Sequence, residues 1–332
     1  MTAFAAGALR SPALYLSAML VGAIVYFSVA NPFFGDWENV RTVAAGSAPL
    51  GVIALGVTLA LACGAIDFSV AATAALAAVV MGWVGQHAAI GLGVPAALGV
   101  GVAVGLANGL VITRFRLDAF ITTLAAAGAY RGLAFLVAGS SVGVSVESDL
   151  VTSLGQDMAL GVPNTVWTLA IVALVAWWVL RFTPFGRRLL AVGGNREAAR
   201  LAGVSPSRVQ IAGYVISGTC AALGGILLAG RAETAIPQAA TGTELLVFSA
   251  VLLGGTSLFG GRASVIGSLL AVLFLNFLYN GLVLERISSY WQTIIQGALL
   301  IVAVWLLRLQ SEGRDPAALV AAIGRRVRRD SG

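Results

Sequence analysis

Long apolar runs separated by short polar connectors fill almost the whole chain. A helix that crosses a bilayer needs about 20 mostly apolar residues. By that ruler, helices are expected near residues 13–31, 45–65, 68–85, 90–113, 119–138, 164–182, 209–230, 244–259, 263–284 and 290–308. The spans are rich in glycine. Gly101, Gly105 and Gly109 form a G-x-x-x-G-x-x-x-G ladder on one helix face, where two backbones can approach closely. The eighth expected span is interrupted by Gly254, Gly255, Gly260 and Gly261, which predicts a broken or re-entrant segment buried by its neighbours rather than facing lipid.

The polar positions fix an orientation. The connector from Thr183 to Arg208 carries Arg187, Arg188, Arg196, Arg200 and Arg208 against the single acid Glu197, and short loops of that kind stay on the cytoplasmic side. With the N-terminus inside, ten spans return the C-terminus to the cytosol and place Arg114, Arg116, Arg262 and the arginine-rich tail on the same side as this loop. The segment between Gly139 and Pro163 carries Glu147, Asp149 and Asp157 with no arginine, as an outer loop can. The expected fold is an all-α integral membrane protein of about ten transmembrane helices with both termini cytosolic. Residues 1–310 form the transmembrane domain and residues 311–332 a basic tail, either a helix lying on anionic lipid or a disordered segment. Arg10 followed by an apolar run to Ala30 has the outline of a signal peptide, but the run is longer than a usual signal core, so it is read as a retained first span.

Composition excludes several classes of function. Of 332 residues, 59% are hydrophobic and 10% charged, too polar-poor for a soluble globule. The net charge of +6 comes from arginine alone, since the chain has no lysine. Those arginines sit at span ends and in the tail, which fits membrane orientation and not nucleic-acid binding. Without lysine there is no phosphate-binding loop of the P-loop kind and no Schiff base, so any ATP must be hydrolysed by another chain. Cys63 and Cys220 are isolated, and His87 lies alone in a short connector. No cofactor, metal site or catalytic group is expected.

Inside the 183–208 loop, Gly193 and Gly194 are read as a turn, Asn195 as a cap on the following amides, Arg196 to Ala202 as a helix and Gly203 as its stop. An isolated helix below roughly 12 residues is marginal in water. The loop is therefore either a solvated connector or a helix that forms against something else.

Six segments in this order resemble the permease subunits of bacterial ABC importers for sugars of the ribose, xylose and galactose type. They are CGAIDFSV (63–70), GLANGLVITRFRL (105–117), AFITTLAAAGAYRG (119–132), TPFGRRLLAVGGNREAARLAGV (183–204), GTELLVFSAVLLGGTSLFGGRASVIGS (242–268) and NGL (280–282). Ala65, Phe68, Ala71 and Asp118 depart from the residues usual at those places. The resemblance implies a ten-helix inner-membrane permease that pairs with a second permease copy or paralogue. Two cytosolic ATPase domains would energise it and a periplasmic sugar-binding protein would feed it. It also implies that Arg187, Gly193, Gly194, Asn195, Glu197, Ala198, Ala199, Arg200 and Gly203 form the contact with the ATPase.

Among single residues, Asp67 and Glu244 precede or open helical stretches and are expected as structural caps or turns. Asn108, Thr122, Tyr214, Asn276 and Asn280 are neutral hydrogen-bonding groups within spans. They are candidates for the translocation path or for interhelical bonds worth about 0.6 kcal/mol each. Arg131 lies deep in the fifth span and must pair, face a wet cavity or snorkel. The expected function is an alternating-access path for a neutral, polyhydroxylated substrate. The rivals are a nucleoside or branched-chain amino-acid permease, a secondary transporter or channel working alone, and a structural scaffold. A lone transporter needs titratable groups within the spans, which favours the permease reading.

Overall fold

The computed structural model describes residues 12–301 apart from 89, 140–142, 147, 289, 296 and 300. In chain order the helices are α1 (Pro12–Ala30), α2 (Trp37–Ala62), α3 (Val70–His87), α4 (Gly93–Phe115), α5 (Ala119–Ala138), α6 (Asp149–Gln156), α7 (Asn164–Phe182), α8 (Pro184–Gly194), α9 (Arg196–Leu201), α10 (Pro206–Ala232), α11 (Thr243–Leu253) and α12 (Val265–Leu284). Two antiparallel pairs of two-residue strands complete the described structure. Strand β1 (Val144–Ser145) pairs with β4 (Thr234–Ala235), and β2 (Met158–Ala159) with β3 (Val162–Pro163).

Among the described residues, 8 helices are long and apolar enough to cross a membrane: α1 to α5, α7, α10 and α12. The expected eighth span is instead the 11-residue α11, followed by a non-helical stretch to Ser264. The expected tenth lies partly outside the described residues, and the basic tail wholly so. Helix α2 begins eight residues before its apolar run, because Glu38 and Arg41 form an i, i+3 ion pair at 2.5 Å that lets the polar segment join the helix. The outer segment also contains a short helix, α6, which an apolar ruler does not detect.

Helix α10 is the hub, packing on α4, α2 and α3. The glycine ladder explains the closest of these contacts. A Cβ at Gly101 would lie 2.4 Å from the Gly218 carbonyl oxygen, and one at Gly105 2.4 Å from that of Tyr214. No side chain fits there, so α4 and α10 touch backbone to backbone, the geometry that small residues permit between membrane helices.

Three helices end at a glycine in one way. α2, α9 and α11 are followed by Gly64, Gly203 and Gly255, at φ of 74°, 83° and 88°. In each case the glycine N–H and the next N–H reach back to carbonyls of the last turn: Gly64 to Leu61 and Ala65 to Ala60, Gly203 to Arg200 and Val204 to Ala199, Gly255 to Leu252 and Thr256 to Val251. This is the Schellman arrangement, which satisfies terminal carbonyls without water. The Leu253 carbonyl, at the end of α11, accepts from the Tyr15 hydroxyl of α1 at 2.6 Å.

Gly105→Val is expected to force α4 off α10 and to destabilise the fold by at least about 3 kcal/mol, the upper range for overpacking a tight core. Thermal unfolding in detergent checks this. The neighbouring change Leu106→Ala serves as the control, because that side chain is 39% exposed and its loss should shift the transition little.

Candidate functional site

The first site is the α8–α9 junction, built from local chemistry upward. Thr183 opens α8 by accepting the Gly186 N–H on its hydroxyl at 3.1 Å, with Pro184 at the first helical turn. Leu189 and Val192 bury against the bundle. Gly193 and Gly194 are the last residues of α8 rather than a turn. The reason is steric: a Cβ on Gly193 would sit 2.1 Å from the Ala62 carbonyl oxygen and 2.4 Å from the Gly261 nitrogen. Here glycine serves close approach, not a bend. The bend comes at Asn195, extended at φ −155°, which both closes α8 and opens α9 by accepting the Ala198 N–H at 2.9 Å.

Helix α9 has 6 residues, too few to hold itself, so its anchors matter. Ala199 buries its one small side chain in the core. The Arg196 guanidinium donates to the Gln210 side-chain oxygen. Gln210 in turn donates to the Cys63 carbonyl at 3.5 Å. The opposite face is free. Glu197 and Arg200 pair at 2.6 Å with both side chains 65% exposed, and the carboxylate raises the Arg200 pKa above its ordinary value. Leu201 is 78% exposed, and Arg187, Ala198 and Gly203 are also exposed. The result is a pinned stub of helix that presents an apolar residue among charges.

The second site is α5. Only 11% of its span is buried, as in α1 and α7. Asp118 caps it by accepting the Ile121 N–H at 2.9 Å, and the Thr122 hydroxyl returns to the Asp118 carbonyl. A Cβ at Gly128 or Gly132 would meet nothing within 4 Å. Arg131 is turned toward the loop before α11 and donates to the carbonyls of Pro237 at 2.6 Å and Ala239 at 2.8 Å. Glu244, in the first turn of α11, has one buried carboxylate oxygen without a partner.

The other polar residues singled out from the sequence are spread among several packing contacts. Tyr214 is 1% exposed and its hydroxyl donates to the Ile66 carbonyl at 3.3 Å. Asn276 donates to Val272 within its own helix. Asn280 and Asn39 exchange two hydrogen bonds at 2.9 and 3.0 Å, tying α12 to α2. Asn108 is buried on α4, where it donates to the Ser69 hydroxyl and accepts from Tyr130 of α5. Asp67 accepts the Ser69 N–H at 3.0 Å, a side-chain turn at the start of α3. Sequence reasoning passed over Tyr130, Ser69 and Gln210. A tyrosine beside an arginine in the middle of an apolar span is the signal that could have found the first. Among the described residues, no group of three or more His, Cys, Asp or Glu is placed to hold a metal ion.

A bundle of helices long and apolar enough to cross a membrane, three of which (α1, α5 and α7) are only 11% buried, with a pinned surface helix, is that of a multi-pass membrane protein. A family model described as branched-chain amino acid transport system / permease component matches residues 39–304, and the chain belongs to this family of ABC importer permeases of the inner membrane. It is 37% identical over 293 residues to the ribose import permease protein RbsC of Escherichia coli K12, covering 87% of this chain and 91% of that protein. To the ribose import permease protein RbsC of Haemophilus influenzae it is 34% identical, covering 86% and 90%. To the L-arabinose transport system permease protein AraH of Escherichia coli K12 it is 37% identical, covering 89% and 91%. No solved structure matches.

Asn195→Ala is expected to remove the cap of α9 at a cost of about 1 kcal/mol. Hydrogen exchange at the Ala198 amide should speed up about fivefold, the equivalent of that energy for a local opening, while amides of α10 stay unchanged.

Proposed function

We propose that this protein forms the translocation path of a sugar importer, with ATP hydrolysed on a partner ATPase and the sugar delivered by a periplasmic binding protein. The observation that carries the reading is the likeness, at 37% identity across about nine tenths of both chains, to permeases named for ribose and L-arabinose. The 183–208 loop faces the cytosol on the arginine rule, and the exposed face of α9, with Glu197, Ala198, Arg200, Leu201 and Gly203, is the contact with the ATPase. Its anchors through Gly193, Arg196 and Ala199 make that contact rigid toward the bundle.

The path runs along α5, where a second permease copy completes the wall, with Thr122 and Arg131 on this helix and Asn108 behind it. Tyr214, Asn276 and Asn280 lie away from α5, in the packing contacts described above. A neutral substrate fits this arrangement. One nitrogen of the Arg131 guanidinium is held by two loop carbonyls, and the described ion pairs, Arg41 with Glu38 and Arg200 with Glu197, both include exposed side chains near helix ends. A charged solute crossing such a wall would lack a dedicated partner, at a cost of several kcal/mol.

Reconstitution tests the reading. Proteoliposomes holding the permease with its ATPase and binding protein should accumulate D-ribose or L-arabinose when ATP is enclosed with the ATPase. Liposomes with the permease alone should not accumulate either sugar under any ion gradient. Uptake driven by a proton or sodium gradient without the ATPase would overturn it.

A further inference from the structure

We infer that the Tyr130 hydroxyl is a specificity-determining group of the path, held as a hydrogen-bond acceptor by a polarised chain that begins at Asp67. The inference rests on the reading of the protein as a sugar permease and names the chemistry by which its wall would select a ligand.

The polarity is set from the buried end. Asp67 is 1% exposed and Ser69 0%. The Oδ1 of Asp67 accepts both the Ser69 N–H at 3.0 Å and the Ser69 hydroxyl at 2.6 Å. A serine hydroxyl has one proton. With that proton given to Asp67, the Ser69 oxygen can only accept, and it does so from Nδ2 of Asn108 at 2.9 Å.

That assignment fixes which way the Asn108 amide lies, since its two ends are otherwise hard to tell apart. Its Oδ1 then faces α5 and accepts the Tyr130 hydroxyl at 2.7 Å. Tyrosine too has one proton on its oxygen. Committed to Asn108, Tyr130 can offer a ligand lone pairs and nothing else. Because Oδ1 already accepts the Ser69 N–H, any proton that Asp67 carries belongs on Oδ2, and Oδ1 still accepts from the Ser69 hydroxyl.

The register of the chain is locked by a second bond. The Phe68 N–H donates to the Thr123 hydroxyl of α5 at 3.1 Å, so the start of α3 cannot slide along α5 without breaking it. The chain thus runs from a buried carboxyl, through a buried amide, to a half-buried tyrosine on a span that is itself mostly open. Arg131 next to it is turned away to the Pro237 and Ala239 carbonyls. The ligand class that fits an acceptor-only hydroxyl is one bearing its own O–H donor, as a sugar does. A wall built to receive a donor discriminates against an analogue that lacks it.

The test uses the complete importer in proteoliposomes, with wild-type, Tyr130→Phe, Ser69→Ala and Asp67→Asn permeases and one binding protein throughout. Uptake of D-ribose and L-arabinose is compared with that of their monodeoxy and deoxyfluoro analogues, so that the ratio between permeases removes the binding protein's own preference. Tyr130→Phe is expected to lower uptake of the parent sugar about fivefold, the size of one lost hydrogen bond, and to lose the discrimination at one hydroxyl position. Ser69→Ala frees the Asn108 amide to flip, so discrimination at that same position should fall while parent uptake stays within about threefold. Asp67→Asn keeps an oxygen on Ser69 and should keep the wild-type ratio.

If Tyr130→Phe and Ser69→Ala scale all sugars equally, or leave the ratios at wild-type values, the role is structural and the inference is wrong. Ser69→Ala removes a single oxygen and stays decisive if Tyr130→Phe fails to assemble with the ATPase. Should the wild-type importer take up none of these sugars, the substrate reading falls and this inference falls with it. Normal wild-type uptake with unaltered variant ratios overturns the inference alone.

Discussion

No water enters the apolar interior of a bilayer protein to satisfy backbone groups, so each break in a helix must find its partners within the chain. Two breaks here meet that demand jointly. The stretch after α2 and the stretch after α11 lie against each other, and the Gly261 N–H donates to the Ala62 carbonyl at 3.1 Å. Gly193 closes the same contact from the third side, where any side chain would overlap the backbone of both. The end of α8 is therefore seated on the two breaks that interrupt the bundle, and the short α9 inherits its position from that seat.

Much of this was legible in the sequence, and the legible part is local. Apolar run length finds α1, α3, α5 and α7 to within a few residues, because lipid imposes both a length and a polarity on each span. The cap at Asn195 and the stop at Gly203 follow from one residue's chemistry and hold in the structure. The glycine pairs in the eighth span signalled an interruption, and α11 does end at Leu253 before them. What local reading could not decide is which property of a glycine is in use. Gly203 supplies a positive φ, whereas Gly193 is an ordinary helical residue whose lack of a side chain is what the neighbours require.

The polar residues show the same limit from another direction. Asp67 reads as a cap from its neighbours in sequence, and its bond to the Ser69 N–H is local in that sense. Its other consequence depends on Asn108, which lies 39 residues from Ser69, and on Tyr130, 22 residues further along. Neither spacing carries a periodic signal. Arg131 is similar: its depth in an apolar span required a partner, but the partners are two carbonyls more than 100 positions away, and backbone acceptors leave no mark in a sequence.

Residues 62–69 join the two sites. On one side the Ala62 and Cys63 carbonyls receive Gly261 and Gln210, the groups that seat α8 and hold Arg196 of α9. On the other side the Ile66 carbonyl receives Tyr214, the Phe68 N–H reaches Thr123, and Asp67 with Ser69 begins the chain to Tyr130. This stretch is too short to contain a helix of its own and is held almost wholly by such bonds, each worth about 1 kcal/mol net but more if left unmade in a dry interior. A displacement of the surface helix therefore has two outcomes: it breaks buried bonds at Cys63 and Ala62, or it carries residues 62–69 with it and moves the polar chain against α5. The second keeps the bonds at Ala62 and Cys63 but must carry or break the Phe68–Thr123 bond that ties the stretch to α5.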